Sequence, residues 1–481
     1  MVKLIGGGNI QPDLRPLVAA ACLILQTVVL APAQTSPRQV RIRWEKLMYE
    51  DTNAVIRETT DELAANPQNA IAFRMRSSAF YRNSEPEKGK ADAIAAYALL
   101  KKPATAEEFE ARCYAERRLE MYDAAMSNCS TAIDLDPKFA WAYYNRGSTY
   151  ESTNSFDQAA ANYTKAIELS PAFSDAYSGR GRIFGVKKEY DKAIADFTKV
   201  VELEPRRASG YFIRGHFYHQ KEQYDLAIAD ASKAIELDPK HSSAYYNRGA
   251  AQLRKEKLDL ALADFSKSIE LDPKAPLPYI NRGFVYWRNK EFDKSIADYT
   301  KAIELDPKAP VSYLSRGLDY EDKNEFDKAI ADYSKAIELA PNDPSAYYRR
   351  GTSYSNRNET ALAIADFTRV IELDPTDADA FYDRANSYYY QKKYDLAIAD
   401  HTKAIEIRPK FAWAYNNRGN AHLKKSEIEL AISDLTKAIE LDPKYAVSYR
   451  ARAAAFDAKG AKALAEKDRQ KALELEGEPK K

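Results

Sequence analysis

The sequence has few of the residues that build metal, redox and nucleophilic sites. Its 481 residues include only 5 histidines and 3 cysteines. This leaves little material for a zinc cluster or a Cys/His nucleophile. No charge of one sign is in excess, since 72 Lys and Arg face 71 Asp and Glu. Because nucleic-acid-binding proteins usually show a basic excess, this balance predicts no nucleic-acid partner.

Long hydrophobic runs are also missing after the N-terminus, which predicts no transmembrane segment in the mature chain. The N-terminus itself contains a 14-residue apolar run over 17–30, which follows a basic start and precedes Ala-Pro-Ala at 31–33. A short apolar run in this setting is typical of a secretory signal peptide, predicted here over 1–33. The mature chain is then exported, to the periplasm if the source is Gram-negative and otherwise as a secreted protein. Whether the segment is cleaved or kept as an anchor stays open.

What the sequence does contain is a repeat of 34 residues. Ten prolines lie 34 residues apart, from Pro137 to Pro443. We number each unit so that this proline is position 32, which makes the units begin every 34 residues from 106 to 412. An eleventh unit begins at 446 and lacks the proline. Position 4 is aromatic and position 8 is Gly, Ala or Cys in all eleven units.

This spacing predicts a helical hairpin in every unit. Positions 4, 8 and 11 share one face of a first helix, and positions 20, 24 and 27 share one face of a second. Small residues at positions 8, 20 and 27 let the two backbones approach, while aromatic rings fill the space beside them. The proline cannot continue the second helix, and it disfavours helical geometry at the residue before it.

The pattern resembles the tetratricopeptide repeat, whose signature spans 34 residues. The resemblance covers 106–477 and implies an all-α, right-handed superhelical solenoid whose first helices line a concave groove. It predicts the following organisation: a linker and lead-in helix over 34–69, a degenerate repeat over 70–105 with an insertion at 85–89, ten repeats over 106–445, a degenerate capping repeat over 446–477, and a tail over 478–481.

Two positions depart from the family pattern together. Position 7 is Arg in all eleven units, where the family usually has Leu, and position 23 is Asp in nine units and Asn in two. An unpaired guanidinium beside the core would be costly. We therefore expect an Arg–Asp pair in most repeats, in preference to a basic ladder that binds a polyanion.

Cysteine and histidine give two local hypotheses. Cys113 and Cys129 occupy positions 8 and 24 of one unit, on facing helices, and form either a disulfide or two small buried thiols. His216 and His219 share a helix face but have no obvious third ligand, so we predict no metal site. His401 lies at a core position, which predicts a buried and hydrogen-bonded imidazole.

No phosphate-binding loop, nucleophile elbow or CxxC motif occurs, so we predict no enzyme activity, no catalytic residue and no cofactor. The resemblance implies instead that positions 2, 5, 6, 9, 12 and 13 form a groove for an extended peptide or a partner protein. Its rings and amides suit peptide binding. The candidate groove residues are Trp141, Tyr144, Asn145, Tyr246, Asn247, Asn281, Phe284, Trp287, Tyr348, Tyr382, Trp413 and Asn417.

Three function classes remain open. The first is a protein-binding scaffold in the cell envelope. The second is a glycan- or polymer-binding protein in envelope assembly or export, because the same rings could stack on sugars. The third is a spacer that self-associates. Chaperone-tail-binding members of the family carry Lys at positions 2 and 5, and no unit of this chain does.

Overall fold

The computed structural model describes residues 37–477, and the predicted signal peptide at 1–33 lies outside this range. All regular secondary structure between 37 and 477 is helical. The chain divides into two compact units at Lys257 and Leu258. This division falls inside the repeat that begins at 242, so its first helix belongs to unit 1 and its second helix to unit 2.

Unit 1 contains thirteen of the described helices. They are Pro37–Glu50 (α1), Thr52–Ala65 (α2), Ala70–Arg82 (α3), Pro86–Leu99 (α4), Ala106–Arg118 (α5), Tyr122–Leu135 (α6), Ala140–Ser152 (α7), Phe156–Leu169 (α8), Ser174–Val186 (α9), Tyr190–Leu203 (α10), Ala208–Gln220 (α11), Tyr224–Leu237 (α12) and Ser242–Arg254 (α13).

Unit 2 contains the other thirteen described helices. They are Leu258–Leu271 (α14), Pro276–Arg288 (α15), Phe292–Leu305 (α16), Pro310–Asp322 (α17), Phe326–Leu339 (α18), Pro344–Asn356 (α19), Thr360–Leu373 (α20), Ala378–Tyr390 (α21), Tyr394–Ile407 (α22), Ala412–Lys424 (α23), Ile428–Leu441 (α24), Ala446–Ala458 (α25) and Lys462–Gly477 (α26). Consecutive helices pair as antiparallel hairpins, as in tetratricopeptide solenoids.

The lead-in segment differs from the single helix expected from the sequence. It consists of α1 and α2, which are separated at Asp51, whose side chain accepts a hydrogen bond from the Ala54 amide at 3.0 Å. The degenerate repeat is a regular hairpin of α3 and α4. Pro86 is the first residue of α4, a position that tolerates proline, so the expected insertion at 85–89 is wrong. The additional residues of this repeat lie in the loop over 100–105.

The two ends of the second helix have distinct local causes. Position 15, in the hairpin turn, is left-handed in every repeat, and its non-glycine residues have φ between 57° and 62°. At the other end, the residue before the proline is extended, as at Asp238 with φ −137° and ψ 91°. Proline thus ends the helix as the sequence predicts.

Close packing inside each hairpin explains the small residue at position 8. A Cβ added to Gly181 would lie 2.8 Å from the Phe197 ring, and one added to Gly351 would lie 2.9 Å from the Phe367 ring. Side chains at position 8 therefore compete for space with the ring at position 24. In the repeat at 106, Cys113 and Cys129 hold these two positions and the structure joins them by a disulfide, with Cα atoms 5.3 Å apart.

The predicted Arg–Asp pair is confirmed, and it also links neighbouring repeats. Each arginine donates from Nε and Nη2 to both carboxylate oxygens at 2.7–2.9 Å. Its Nη1 donates at 2.9–3.3 Å to a Ser or Thr on the second helix of the preceding repeat. The pairs are Arg180–Asp196, Arg214–Asp230, Arg282–Asp298, Arg316–Asp332, Arg350–Asp366, Arg384–Asp400, Arg418–Asp434 and Arg452–Asp468. Every guanidinium in this set therefore joins three helices.

The first repeats adapt the same arrangement. Arg76 and Asp92 form the pair in the degenerate repeat at 2.8–2.9 Å. Where position 23 is Asn128, Arg112 turns instead to Glu116 at 2.8 Å. The motif thus extends beyond the units in which the sequence revealed it.

Replacing Asp298 with Ala should lower the free energy of unfolding by about 1–3 kcal/mol, because the half-buried Arg282 loses its only carboxylate. Urea unfolding followed by circular dichroism measures this loss. Glu304→Ala on the same helix is the matched control, because Glu304 is exposed and pairs only with the exposed Lys301. An unchanged midpoint for Asp298→Ala would contradict a structural role for the pair.

In a chain of residues 34–481, Cys113 and Cys129 should resist alkylation when the protein is unfolded without reductant. Because they are the only cysteines in that chain, mass spectrometry should show no adduct before reduction and two adducts after it. Two adducts without reductant would show that the bridge does not form.

Candidate functional site

The first helices of the repeats present the surface that the sequence assigned to ligand binding. We call the residues at positions 2, 5, 6, 9, 12 and 13 the first-helix surface and describe it separately in each unit. Unit 1 holds five of the predicted residues and unit 2 holds seven.

In unit 1, the first-helix surface is partly covered by the chain's own helix α1. Arg41 donates to Glu110 at 2.9 Å and lies over the Phe139 ring at 4.4 Å. At the other end of α1, Tyr49 donates to Asp175 at 3.4 Å. Helix α1 therefore contacts first-helix residues of two different repeats.

Two of the predicted groove residues of unit 1 are buried in this region. Trp141 is only 8% exposed, and its ring lies 4.5 Å from Phe173 and 4.5 Å from the Arg74 guanidinium. Asn145 is fully buried and donates to Glu110. Both side chains are therefore buried where the sequence predicted exposed groups, and their role in ligand binding stays a prediction. Tyr144 stays half-buried, with its ring 5.0 Å from Phe173.

The other two predicted residues of unit 1 lie on α13. Tyr246 and Asn247 are both half-buried. The Nδ2 of Asn247 is buried without a hydrogen-bond partner in the described chain. Their role in binding remains a prediction.

In unit 2, three of the predicted residues, Phe284, Trp287 and Tyr348, contact one another or a nearby aspartate. Phe284 and Trp287 lie with their ring centroids 5.7 Å apart, and Trp287 Nε1 donates to Asp322 at 2.6 Å. Tyr348 donates to Asp383 at 2.7 Å. Burial raises the pKa of Asp383 to about 6 despite this hydrogen bond. Asn281 is half-buried on the same face of α15.

A pocket of about 260 Å³ lies between α21 and α23. Asn417 donates to the Tyr382 hydroxyl at 3.0 Å and to Asn386 Oδ1 at 2.8 Å. These contacts hold an aromatic ring and two amides in fixed orientations. The lining consists only of tyrosines and asparagines: Tyr382, Asn386, Tyr389, Tyr390, Asn417 and Asn420.

Tyr382 and Asn417 are two of the residues predicted for the groove, and the other residues of this wall were not among the candidates. Asn386 and Asn420 occupy position 9, and Tyr390 occupies position 13. Because positions 9 and 13 were predicted to face the ligand, the repeat numbering alone could have added these residues to the candidates. Trp413, the remaining candidate, is 53% exposed at the start of α23.

The histidines singled out by the sequence differ in their surroundings. His401 is buried below the Tyr382 ring, and burial lowers its pKa to about 3. Both of its nitrogens lack a hydrogen-bond partner, so the expected hydrogen-bonded imidazole is wrong. Burial also lowers the pKa values of His216 and His219. No cluster of three metal-ligating side chains occurs over residues 37–477.

Asp319 is an acid at a core position. It lies at position 10 of its repeat, where other repeats have residues such as Ala, Val or Ser, and it is fully buried. The nearby Ser295 hydroxyl donates instead to the Gly283 carbonyl at 2.8 Å, and both Asp319 oxygens lack a partner. Burial raises the pKa of Asp319 to about 7.

Comparison with protein families matches the same register. Models described as "Tetratricopeptide repeat" match 140–173, 174–207, 242–275, 276–309, 344–377, 367–399 and 412–445. A model described as "TPR repeat" matches 215–256, 317–358 and 385–426. Together these stretches cover more than half of the chain. The chain belongs to the tetratricopeptide repeat family. Members of this family are protein-interaction scaffolds.

Three solved tetratricopeptide structures illustrate the similarity. YrrB, described as a TPR protein with an unusual peptide-binding site, is 27% identical over 39% of this chain and 97% of its own, with a TM-score of 0.36. MamA is 30% identical over 36% of this chain and 93% of its own, with a TM-score of 0.34. A chain of the Cut9–Hcn1 complex of APC/C is 16% identical over 91% of this chain and 98% of its own, with a TM-score of 0.43.

A comparison with curated proteins gives no significant match. Between residues 37 and 477, no helix of this tetratricopeptide repeat protein has the length and apolar character needed to span a bilayer.

The buried Asp319 should make unit 2 less stable as pH rises from about 4 to about 7. In this window the unfolded chain has lost the Asp319 proton while the folded chain still holds it, so the folded state is favoured at the lower pH. Asp319→Asn should remove this contribution and add about 2–4 kcal/mol to the free energy of unfolding at neutral pH. Urea unfolding of both proteins at several pH values measures it, and parallel pH profiles would contradict the assignment.

Proposed function

We propose that this chain is a non-enzymatic scaffold that binds an extended peptide segment of a partner protein on the first-helix surface of unit 2. The observation that carries the proposal is the pocket between α21 and α23, whose wall contains three tyrosines and three asparagines. An extended peptide presents unpaired backbone amides and carbonyls. Asparagine amides can pair with both of these groups, while tyrosine rings supply contact area.

Hydrogen bonds within the pocket wall fix its side chains in the absence of a ligand. Asn417 donates both of its N–H groups, to Tyr382 and Asn386, and accepts a hydrogen bond from Asn416. It therefore holds the wall in place and leaves pairing with a ligand to the other amides.

Tyr390 is 76% exposed at the end of α21, and its ring lies edge-on to Tyr389 at 6.3 Å. Trp413 is also exposed, outside the pocket wall at the start of α23. A peptide that crosses from the pocket to the start of α23 would contact both exposed rings.

A glycan or other polymer is the second candidate ligand, and the same exposed rings of Tyr390 and Trp413 favour it. Flat aromatic faces stack on sugar rings, and asparagine amides hydrogen-bond hydroxyls. Competition distinguishes the two classes. Displacement of a bound peptide by oligosaccharides would favour the glycan, whereas a peptide that stays bound in their presence would favour the peptide.

We also propose that the scaffold works in the cell envelope or outside the cell. The signal-like segment over 1–33 supports export. The Cys113–Cys129 bridge supports it independently, because disulfides persist in oxidising compartments. Fractionation of cells that express the whole chain, with sequencing of the N-terminus of the recovered protein, tests both the location and the cleavage.

Peptide binding to the pocket should depend on its exposed ring and amide. A peptide selected from a phage-displayed library against residues 34–481 serves as the probe, and fluorescence polarisation measures its affinity. Tyr390→Ala combined with Asn420→Ala should weaken binding by about 1–3 kcal/mol, because both side chains leave the pocket wall without disturbing the hairpin core.

The matched control is Lys403→Ala combined with Glu406→Ala. These residues are exposed on the second helix of the same repeat, where they pair with each other at 2.7 Å. Weaker binding in this control, with unchanged binding in the Tyr390 and Asn420 variant, would move the ligand to the second-helix face. The proposal would then be wrong.

A further inference from the structure

A cavity of about 600 Å³ lies in unit 1, outside the pocket assigned to the peptide. Its walls come from the end of α1, the helices α3, α5 and α7, and the loop over 203–209. Tyrosine side chains form much of the lining, and five arginines reach it: Arg82, Arg117, Arg118, Arg206 and Arg207.

The buried acids of this cavity are already neutralised by two of these arginines. Arg82 donates to Asp175 at 2.7 Å and also to Glu204. Arg207 donates to the same two acids at 3.1 and 2.9 Å. Burial disfavours the Asp175 carboxylate, but Arg82 and Arg207 outweigh it and hold the pKa of Asp175 below its ordinary value. Since the two carboxylates already accept from Arg82 and Arg207, they do not neutralise the other arginines of the cavity.

Arg117 and Arg118 have no such partner. Within residues 37–477, no carboxylate lies within ion-pair distance of either guanidinium, and the Nε atom of each is buried without a hydrogen bond. Arg118 lies over the Tyr81 ring at 3.6 Å and the Tyr114 ring at 5.2 Å, and Arg117 lies 5.5 Å from the Tyr114 ring. The rings orient both guanidinium groups, and the Tyr114 hydroxyl also bonds Arg118 and helps to raise its pKa, but no described carboxylate neutralises either arginine.

The arginines at position 7 differ from Arg117 and Arg118, because they donate to a carboxylate or an amide oxygen. A half-buried guanidinium that has lost part of its water without gaining an anion is unfavourable, and two adjacent ones also repel each other. Burial, and then the charge of Arg118, lower the pKa of Arg117. Such a pair of sites is completed by an anion from outside the chain.

We propose that the cavity binds side-chain carboxylates of an acidic peptide segment, with Arg117 and Arg118 donating hydrogen bonds to them. The wall already contains two arginines bonded to Asp175 and Glu204, so a second pair of carboxylates repeats chemistry that this surface performs. The rings of Tyr81 and Tyr144 flank the entering segment. The inference extends the proposed peptide-binding function, and it concerns residues of unit 1 only.

The probe is a fluorescein-labelled octapeptide of alternating Glu and Gly with an amidated C-terminus, and its counterpart carries Gln in place of Glu. Fluorescence polarisation with residues 34–481 should show binding of the Glu peptide that weakens as salt rises. Arg117→Gln combined with Arg118→Gln should raise its Kd at least 10-fold. The Gln peptide should bind the parent chain no more tightly than it binds the Arg117 and Arg118 variant.

The matched control removes the same positive charge elsewhere. Lys240→Gln combined with Lys274→Gln changes two exposed lysines in loops after second helices, outside the cavity. Its Kd for the Glu peptide should equal that of the parent chain. An equal loss in this control would show that net charge alone attracts the peptide, which overturns the inference.

Folding is checked separately, because Arg117 and Arg118 have no ion pair to lose. The double variant should keep its unfolding midpoint or raise it. If it fails to fold, Arg117→Lys combined with Arg118→Lys keeps the charge and should still raise the Kd, because Lys cannot bind a carboxylate in a bidentate manner.

Three further results would overturn the inference. One is equal affinity for the Glu and Gln peptides. Displacement of the Glu peptide by inorganic phosphate at a lower concentration than glutarate requires would assign the site to a phosphoryl group. Displacement by trigalacturonate at a lower concentration than glutarate requires would assign it to an acidic glycan. The library-selected peptide of unit 2 should bind the Arg117 and Arg118 variant normally, so failure of this inference is distinguishable from failure of the proposed function.

Discussion

The arginine at position 7 is the contact on which the regular repeats depend. It bonds the aspartate of its own second helix and a hydroxyl of the preceding repeat, so one side chain fixes both the hairpin and its neighbour. The aspartates are nearly buried, and burial alone raises the pKa of Asp196. An acid in that position needs its arginine, and this mutual requirement explains why both residue types recur together.

Most of the fold could be predicted from the sequence, because the 34-residue period places the same residue type in the same environment each time. Where position 24 is a ring, it packs against the small residue at position 8, as Phe197 does against Gly181. Cys113 and Cys129 occupy the same two positions, so the register indicated their proximity. What the period could not decide was whether they form a bond.

The features that sequence analysis missed are contacts that do not follow the period. Arg41 reaches Glu110 across 69 residues, and no repeat predicts that α1 lies on the first-helix surface. Trp141 and Asn145 are buried among such contacts, with Arg74 over the Trp141 ring and Glu110 accepting from Asn145, whereas the period alone predicted exposed groups. A weak signal existed at Glu110, because position 5 carries a carboxylate in this repeat and a ring, an apolar group or another neutral residue in most others.

The two units use their first-helix surfaces for different chemistry. In unit 1 the surface around the cavity is charged, and the guanidinium groups of Arg117 and Arg118 have no carboxylate partner there. In unit 2 the pocket is neutral and contains only tyrosine and asparagine side chains. Since the Arg–Asp pair keeps the hairpins alike in both units, the first-helix surface can vary without loss of the fold. We therefore expect ligand recognition where residues depart from the repeat pattern. Under the proposed function, the charged exceptions of unit 1 and the amides of unit 2 would contact different parts of a partner.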